Sequence, residues 1–120
     1  MALNIRDIGA PTDFEDGKPQ RVEVDGRALV VVRQAERFYA LRDTCVHQGA
    51  RLSAGKVSGT SLPCLPGEEI EYGRIGEILT CPWHGWEYDI CTGRSLIDPQ
   101  KVRVATYEVR VEGGRVLIYI

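Results

Sequence analysis

The chain has 120 residues, a formal net charge of −2 and 43% hydrophobic residues. That length suits one domain. Near-neutral charge with no basic block removes the electrostatic footprint of nucleic-acid binding, and the longest apolar stretch, Ala28 to Val32, is far too short to span a bilayer.

The start, Met1-Ala2-Leu3-Asn4-Ile5-Arg6-Asp7, lacks the apolar run of a signal peptide. A cytoplasmic location is therefore expected, where thiols stay reduced and the four cysteines serve as ligands or bystanders rather than disulfides. Val22 and Val24 lead into Asp25-Gly26, followed by Arg27 to Arg33. Asp-Gly between such runs signals a two-residue hairpin, because both central residues need positive φ. The polar segment Gln34-Ala35-Glu36-Arg37 predicts a turn, with a third short strand over Phe38 to Arg42.

From Thr44 to Pro99 the composition shifts to Gly, Pro, Cys, His and Trp, with no sustained apolar period. This stretch reads as loops organised around something other than a hydrophobic core. At the C-terminal end, Val102 to Glu112 and Arg115 to Ile120 flank Gly113-Gly114, which predicts another hairpin. Tyr107, Val109 and Val111 share one face of it, and Val116, Ile118 and Ile120 one face of its partner. No helical pattern of useful length and no repeat occurs. The pattern predicts an all-β base from both chain ends, carrying a loop-rich tip from the middle.

The tip contains Cys45-Val46-His47 and Cys81-Pro82-Trp83-His84, which hold the only two histidines of the chain. A buried Cys is often a small apolar residue, and a lone His is often a hydrogen-bonded core residue. Two Cys–His pairs arising without purpose is a far poorer reading. Two thiolates and two imidazoles suit either a tetrahedral Zn²⁺ or a [2Fe–2S] cluster with mixed ligation. Zinc modules usually pair like with like, whereas each arm here is mixed. Mixed arms suit a cluster in which one iron takes both thiolates and the other both imidazoles.

Cys45-Val46-His47-Gln48-Gly49-Ala50 and Cys81-Pro82-Trp83-His84-Gly85-Trp86 resemble the two cluster-binding loops of Rieske [2Fe–2S] proteins. Phe38-Tyr39-Ala40-Leu41, Tyr88-Asp89, Thr92-Gly93 and the Val102 to Ile120 hairpin fit as well. The resemblance implies an all-β fold of stacked antiparallel sheets with a cluster-binding subdomain. It implies one [2Fe–2S] cluster per chain, with Cys45 and Cys81 on one iron and His47 and His84 on the other. Gly49 and Gly85 match positions where backbone N–H groups approach the sulfurs; Trp83 and Trp86 are expected to cover the cluster, with partner binding as the alternative reading. The implied division is a single domain, 1–120, with a base of 1–43 and 100–120 and a cluster-binding subdomain of 44–99. The stretch 48–80 is longer than ferredoxin-type members usually carry, so an insertion is expected at about 57–76, as a small hairpin turning at Gly73-Arg74-Ile75-Gly76. Cys64 and Cys91 match no ligand position.

With two neutral imidazoles the oxidised centre carries no net charge, so it accepts an electron more readily than an all-thiolate centre. Rieske potentials span about −150 to +300 mV. High-potential members carry a disulfide whose cysteines align with Ala50 and Trp83, and a serine that aligns with Trp86. Tyr88 matches a tyrosine that bonds a ligand sulfur. These comparisons place the expected potential toward the low end.

The resemblance implies an electron carrier that passes one electron from a flavin reductase to a terminal oxygenase. An accessory Rieske subunit of an oxidoreductase such as nitrite reductase is the second reading, and a non-redox zinc interaction module the third. A stand-alone enzyme fits poorly. Both histidines are already used as ligands, leaving none for a mononuclear iron, and no nucleotide fingerprint is present.

Overall fold

The computed structural model describes residues 4–45, 50–61, 66–67, 69, 72–82, 85–96 and 98–120. Nine strands occur among them. They are β1 (Ile5–Gly9), β2 (Pro19–Val24), β3 (Arg27–Gln34), β4 (Arg37–Arg42), β5 (Lys56–Ser61), β6 (Tyr72–Thr80), β7 (Glu87–Asp89), β8 (Thr106–Glu112) and β9 (Arg115–Tyr119). Pro11–Asp13 and Leu52–Ala54 form single 3₁₀ turns. The first and last parts of the chain build a six-stranded sheet in the order β1-β9-β8-β4-β3-β2, and the middle builds a three-stranded sheet, β5-β6-β7. All strand pairings are antiparallel. No described helix is long and apolar enough to cross a membrane.

The hairpins follow from their turns. Asp25 and Gly26 both adopt positive φ, 49° and 79°, so the turn matches the right-handed twist of β2 and β3. The second turn is tighter than expected: β3 runs to Gln34 and β4 starts at Arg37, leaving Ala35-Glu36. Ala35 sits at φ 56°, a conformation unfavourable for a residue with a Cβ. It is held there by Asp16, whose carboxylate accepts its N–H at 2.8 Å, and by Arg33, which donates to its carbonyl at 2.8 Å.

Strand β3 has no solvent face over its centre. Leu29, Val30, Val31 and Val32 are all fully buried. Their side chains alternate between two cores. Leu29 and Val31 join Phe14, Val24, Phe38, Ala40, Val116 and Ile118 in the core of the large sheet. Val30 and Val32 point the other way, into a core shared with Leu41, Cys45, Leu79, Cys81 and Tyr88.

Three local expectations are corrected. The C-terminal hairpin begins at Thr106, not Val102, because the segment before it is engaged elsewhere: Arg103 bridges Arg94 and the Val104 N–H bonds Gly93 O. Val111, expected on an apolar face, lies exposed near the hairpin end. Gly73-Arg74-Ile75-Gly76 is not a turn; it lies inside β6. Thr60 pairs with Gly73 and Ser58 with Ile78, so Gly59 alone faces residues 74–77 across a large bulge. The turn Pro66-Gly67 falls instead between β5 and β6. The bulge meets the base, where Gln34 donates from Nε2 to Gly76 O at 2.8 Å.

Gly55 enters β5 against the end of β6. A Cβ there would overlap the Thr80 carbonyl oxygen, a backbone atom that moves only if the sheet moves. Gly55→Ala is expected to cost about 1–3 kcal/mol, as overpacking does, and to lower Tm by roughly 4–12 °C in thermal unfolding followed by far-UV circular dichroism.

Candidate metal centre

Two strand ends deliver the two cysteines. β4 runs out at Arg42 and the chain reaches Cys45; β6 runs out at Thr80 and the chain reaches Cys81. Both cysteines are 1% exposed, and both lie in the same apolar core with Leu52, Leu79 and Ile90. Neither is in a disulfide.

The two arms close in the same way. The Cys45 N–H donates to Ala50 O at 2.7 Å, and the Cys81 N–H donates to Trp86 O at 2.7 Å. Each bond ties a cysteine to the carbonyl five positions later. Ala50 and Trp86, the closing residues, both pack against the shared core. Pro82 and Gly85 are exposed on the second arm. His47, Gly49, Trp83 and His84 lie outside the described residues, as does Cys64.

Tyr88 is fully buried, and its hydroxyl lies 3.2 Å from Cys45 Sγ. Its place is set by pairing: on β7 it faces Leu79 of β6, and on its other edge it bridges Ser95. Leu79 precedes Cys81 by two positions, so the strand that delivers one cysteine also positions the phenol that meets the other. Cys91 is different. It is exposed in a turn where Asp89 Oδ1 accepts the N–H groups of Cys91 and Thr92 at 2.8 and 3.0 Å. It takes no part in the buried pair.

One charged group beside the first arm was not singled out from sequence. Asp43 is 2% exposed. It accepts from the Ser53 N–H at 2.7 Å, the Ser53 hydroxyl at 2.6 Å and Arg21 Nη1 at 2.9 Å. Its position two residues before Cys45 was the available signal, yet an aspartate in a polar stretch ordinarily reads as solvated.

An open cavity of about 340 Å³ reaches Cys81 from the surface, lined by Ala54, Gly55, Lys56, Thr80, Pro82 and Gly85. Two reduced thiols in a water-poor core, one beside a phenol that can donate to a thiolate, form a soft donor pair. That chemistry suits iron–sulfur ligation.

The Rieske [2Fe–2S] domain family matches residues 4–108. The chain is 34% identical over 112 residues to the ferredoxin component of a naphthalene 1,2-dioxygenase system from Pseudomonas aeruginosa, covering 93% of this chain and 91% of that one. It is 33% identical over 112 residues to ferredoxin CarAc of Metapseudomonas resinovorans, covering 92% and 89%. Among solved structures it superposes with a TM-score of 0.72 and 30% identity on a chain from the complex of reduced oxygenase and oxidised ferredoxin in carbazole 1,9a-dioxygenase, covering 96% and 92%. A match over most of the chain, with both cysteine arms inside it, establishes that the protein belongs to the Rieske [2Fe–2S] family and holds one [2Fe–2S] cluster.

Proposed function

We propose that this chain is a one-electron carrier that receives an electron from a flavin reductase and delivers it to a terminal oxygenase. The observation that carries the reading is the pair of buried thiols on identically closed arms, in a chain that resembles dioxygenase ferredoxin components over more than nine-tenths of its length. A similar ferredoxin has been seen in complex with its oxygenase. The same likeness favours a carrier over a subunit of nitrite reductase, and the family favours iron–sulfur over zinc.

In this reading Cys45 and Cys81 hold one iron, and His47 and His84 the other. Each histidine lies in sequence between its cysteine and the carbonyl that closes the arm, so one short loop carries both ligands. The chain acts as one Rieske domain, 1–120, with a base of 1–43 and 100–120 and a cluster-binding part of 44–99. Residues 57–76 are an insertion that forms most of β5 and the start of β6. A cytoplasmic place belongs to the same proposal, since a reducing compartment keeps the thiols available.

When bound, the cluster supplies one reversibly held electron. The protein sets how readily that electron is accepted. Burial of Cys45 and Cys81, each 1% exposed, limits the water that reaches the sulfurs. With Cys45 a thiolate ligand, the Tyr88 hydroxyl 3.2 Å away is the donor of the hydrogen bond to Sγ, which draws negative charge off the sulfur and favours the reduced state. With no cysteines at positions 50 and 83 and tryptophan at 86, further donors and the loop disulfide of high-potential members are missing. The potential therefore falls toward the low end of about −150 to +300 mV.

Low-temperature EPR of dithionite-reduced protein is expected to show a rhombic signal with average g below the free-electron value, with iron and acid-labile sulfide in equal amounts. A silent sample holding tightly bound zinc would sink the carrier reading. Cys45→Ser should lose or cripple the cluster and His84→Cys should lower its potential, while Cys64→Ser and Cys91→Ser leave the visible spectrum unchanged.

Tyr88→Phe should keep the cluster and lower the midpoint potential by roughly 20–60 mV, the electrical equivalent of one hydrogen bond worth about 0.5–1.5 kcal/mol. Redox titration of the two proteins measures this directly.

A further inference from the structure

We propose that Asp43, held by Arg21 and Ser53, is a positioning residue for the first cluster arm and balances charge beside it. The inference rests on the reading of Cys45 and His47 as ligands.

The geometry is that of a clamp. Asp43 stands just before the arm and Ser53 just after it. One carboxylate oxygen accepts the Ser53 N–H at 2.7 Å; the other accepts the Ser53 hydroxyl at 2.6 Å and Arg21 Nη1 at 2.9 Å. Both ends of the arm are thus joined through one side chain. Asp43 is itself anchored, because its N–H donates to Ala28 O at 3.0 Å and Arg21 projects from β2 of the same hairpin. Ser53 sits in the 3₁₀ turn Leu52–Ala54, and its neighbour Leu52 is fully buried in the core that holds Cys45. The clamp therefore fixes where the arm leaves the sheet and where it returns.

Fold stability alone is a weak reason to bury a carboxylate. Its desolvation cost offsets much of the attraction to a partner, and an apolar group of similar volume often serves as well. What the buried pair does supply is a defined place for the arm and a defined local charge. The Asp43 side chain is fully buried, whereas Arg21 is 30% exposed, so the carboxylate is the less screened of the two. A negative charge two residues from Cys45 opposes addition of an electron, and Arg21 compensates it.

This assignment separates from a merely structural role by the sign of its effects. Asp43→Asn removes the buried negative charge, leaves Arg21 with only the exposed Glu23 at 3.7 Å, and should raise the midpoint potential. Arg21→Gln leaves the carboxylate uncompensated and should lower it. Ser53→Ala removes one clamp bond without changing charge; it should leave the potential nearly in place and shorten cluster lifetime. Loss of visible absorbance under chelator should speed up about tenfold or more in Ser53→Ala, the usual scale for groups that orient metal ligands, with Tm little changed. The three variants and the wild type are compared by redox titration, absorbance decay and thermal unfolding. Opposite potential shifts in the two charge variants, with a cluster lifetime that does not track Tm, support the role. Shifts of the same sense, no shift, or lifetimes that simply follow Tm overturn it. Should Asp43→Asn fail to fold, a lowered potential in Arg21→Gln together with fast decay in Ser53→Ala still decides in favour, and the absence of either decides against. A wild-type protein without the Rieske EPR signal overturns the ligand reading itself, which keeps the two failures distinct.

Discussion

Strand β3 is apolar on both faces, and the two cores on either side of it depend on that. Leu29 and Val31 complete the core of the large sheet, while Val30 and Val32 line the core that holds both cysteines. A slip of one residue in its pairing would exchange the two sets. The Asp25-Gly26 turn guards against this on one side, and the pairing of Val30 with Leu41 on β4 does so on the other. Because β4 leads directly to Cys45, the register of a hairpin in the base decides which core the first thiol enters.

The second thiol arrives by a separate route, and contacts between the two sheets make the routes converge. Gln34 at the tip of the β3–β4 hairpin bonds Gly76 in the β6 bulge, and within the smaller sheet the Ile90 N–H bonds Glu77 O just beyond it. These bonds hold β6 so that Leu79 and Cys81 lie against Val30, Val32 and Leu41. Tyr88 then bridges the arms: it rides on the strand beside Cys81 and touches the sulfur of Cys45. The burial that places both cysteines in one core also limits the water that reaches them. Packing and redox tuning therefore share the same residues.

The polar part of the site follows a different logic. Buried apolar side chains place a strand, but they do not fix the path of a short loop that leaves it. At the first arm that task falls to hydrogen bonds: the Cys45–Ala50 closure inside the loop and the Asp43–Ser53 link across its ends. The Asp43 carboxylate accepts three such bonds, as a buried charge requires.

Much of this was legible in the chain because it is local. Asp25-Gly26 and Gly113-Gly114 announced their hairpins, since positive φ at both positions is a property of the dipeptide. The two Cys–His arms announced a metal centre, since donor chemistry is a property of the side chains. Other features were not local. Gly73 to Gly76 has turn composition, but glycines serve a turn or a bulge equally, and only the pairing of Gly73 with Thr60 and Ile78 with Ser58 decided for a bulge. Val102 to Val104 continued the apolar pattern of a strand, yet its partners lay in the Gly93 to Ser95 segment. Asp43 looked like any surface acid until Arg21 and Ser53 closed on it. The sequence by itself determined the all-β class, the hairpins and the donor set. Tertiary structure alone decided which core each face of β3 serves, that the Tyr88 hydroxyl meets Cys45, and that a carboxylate is buried beside the arm. Those outcomes depend on contacts between segments far apart in the chain, which no local pattern encodes.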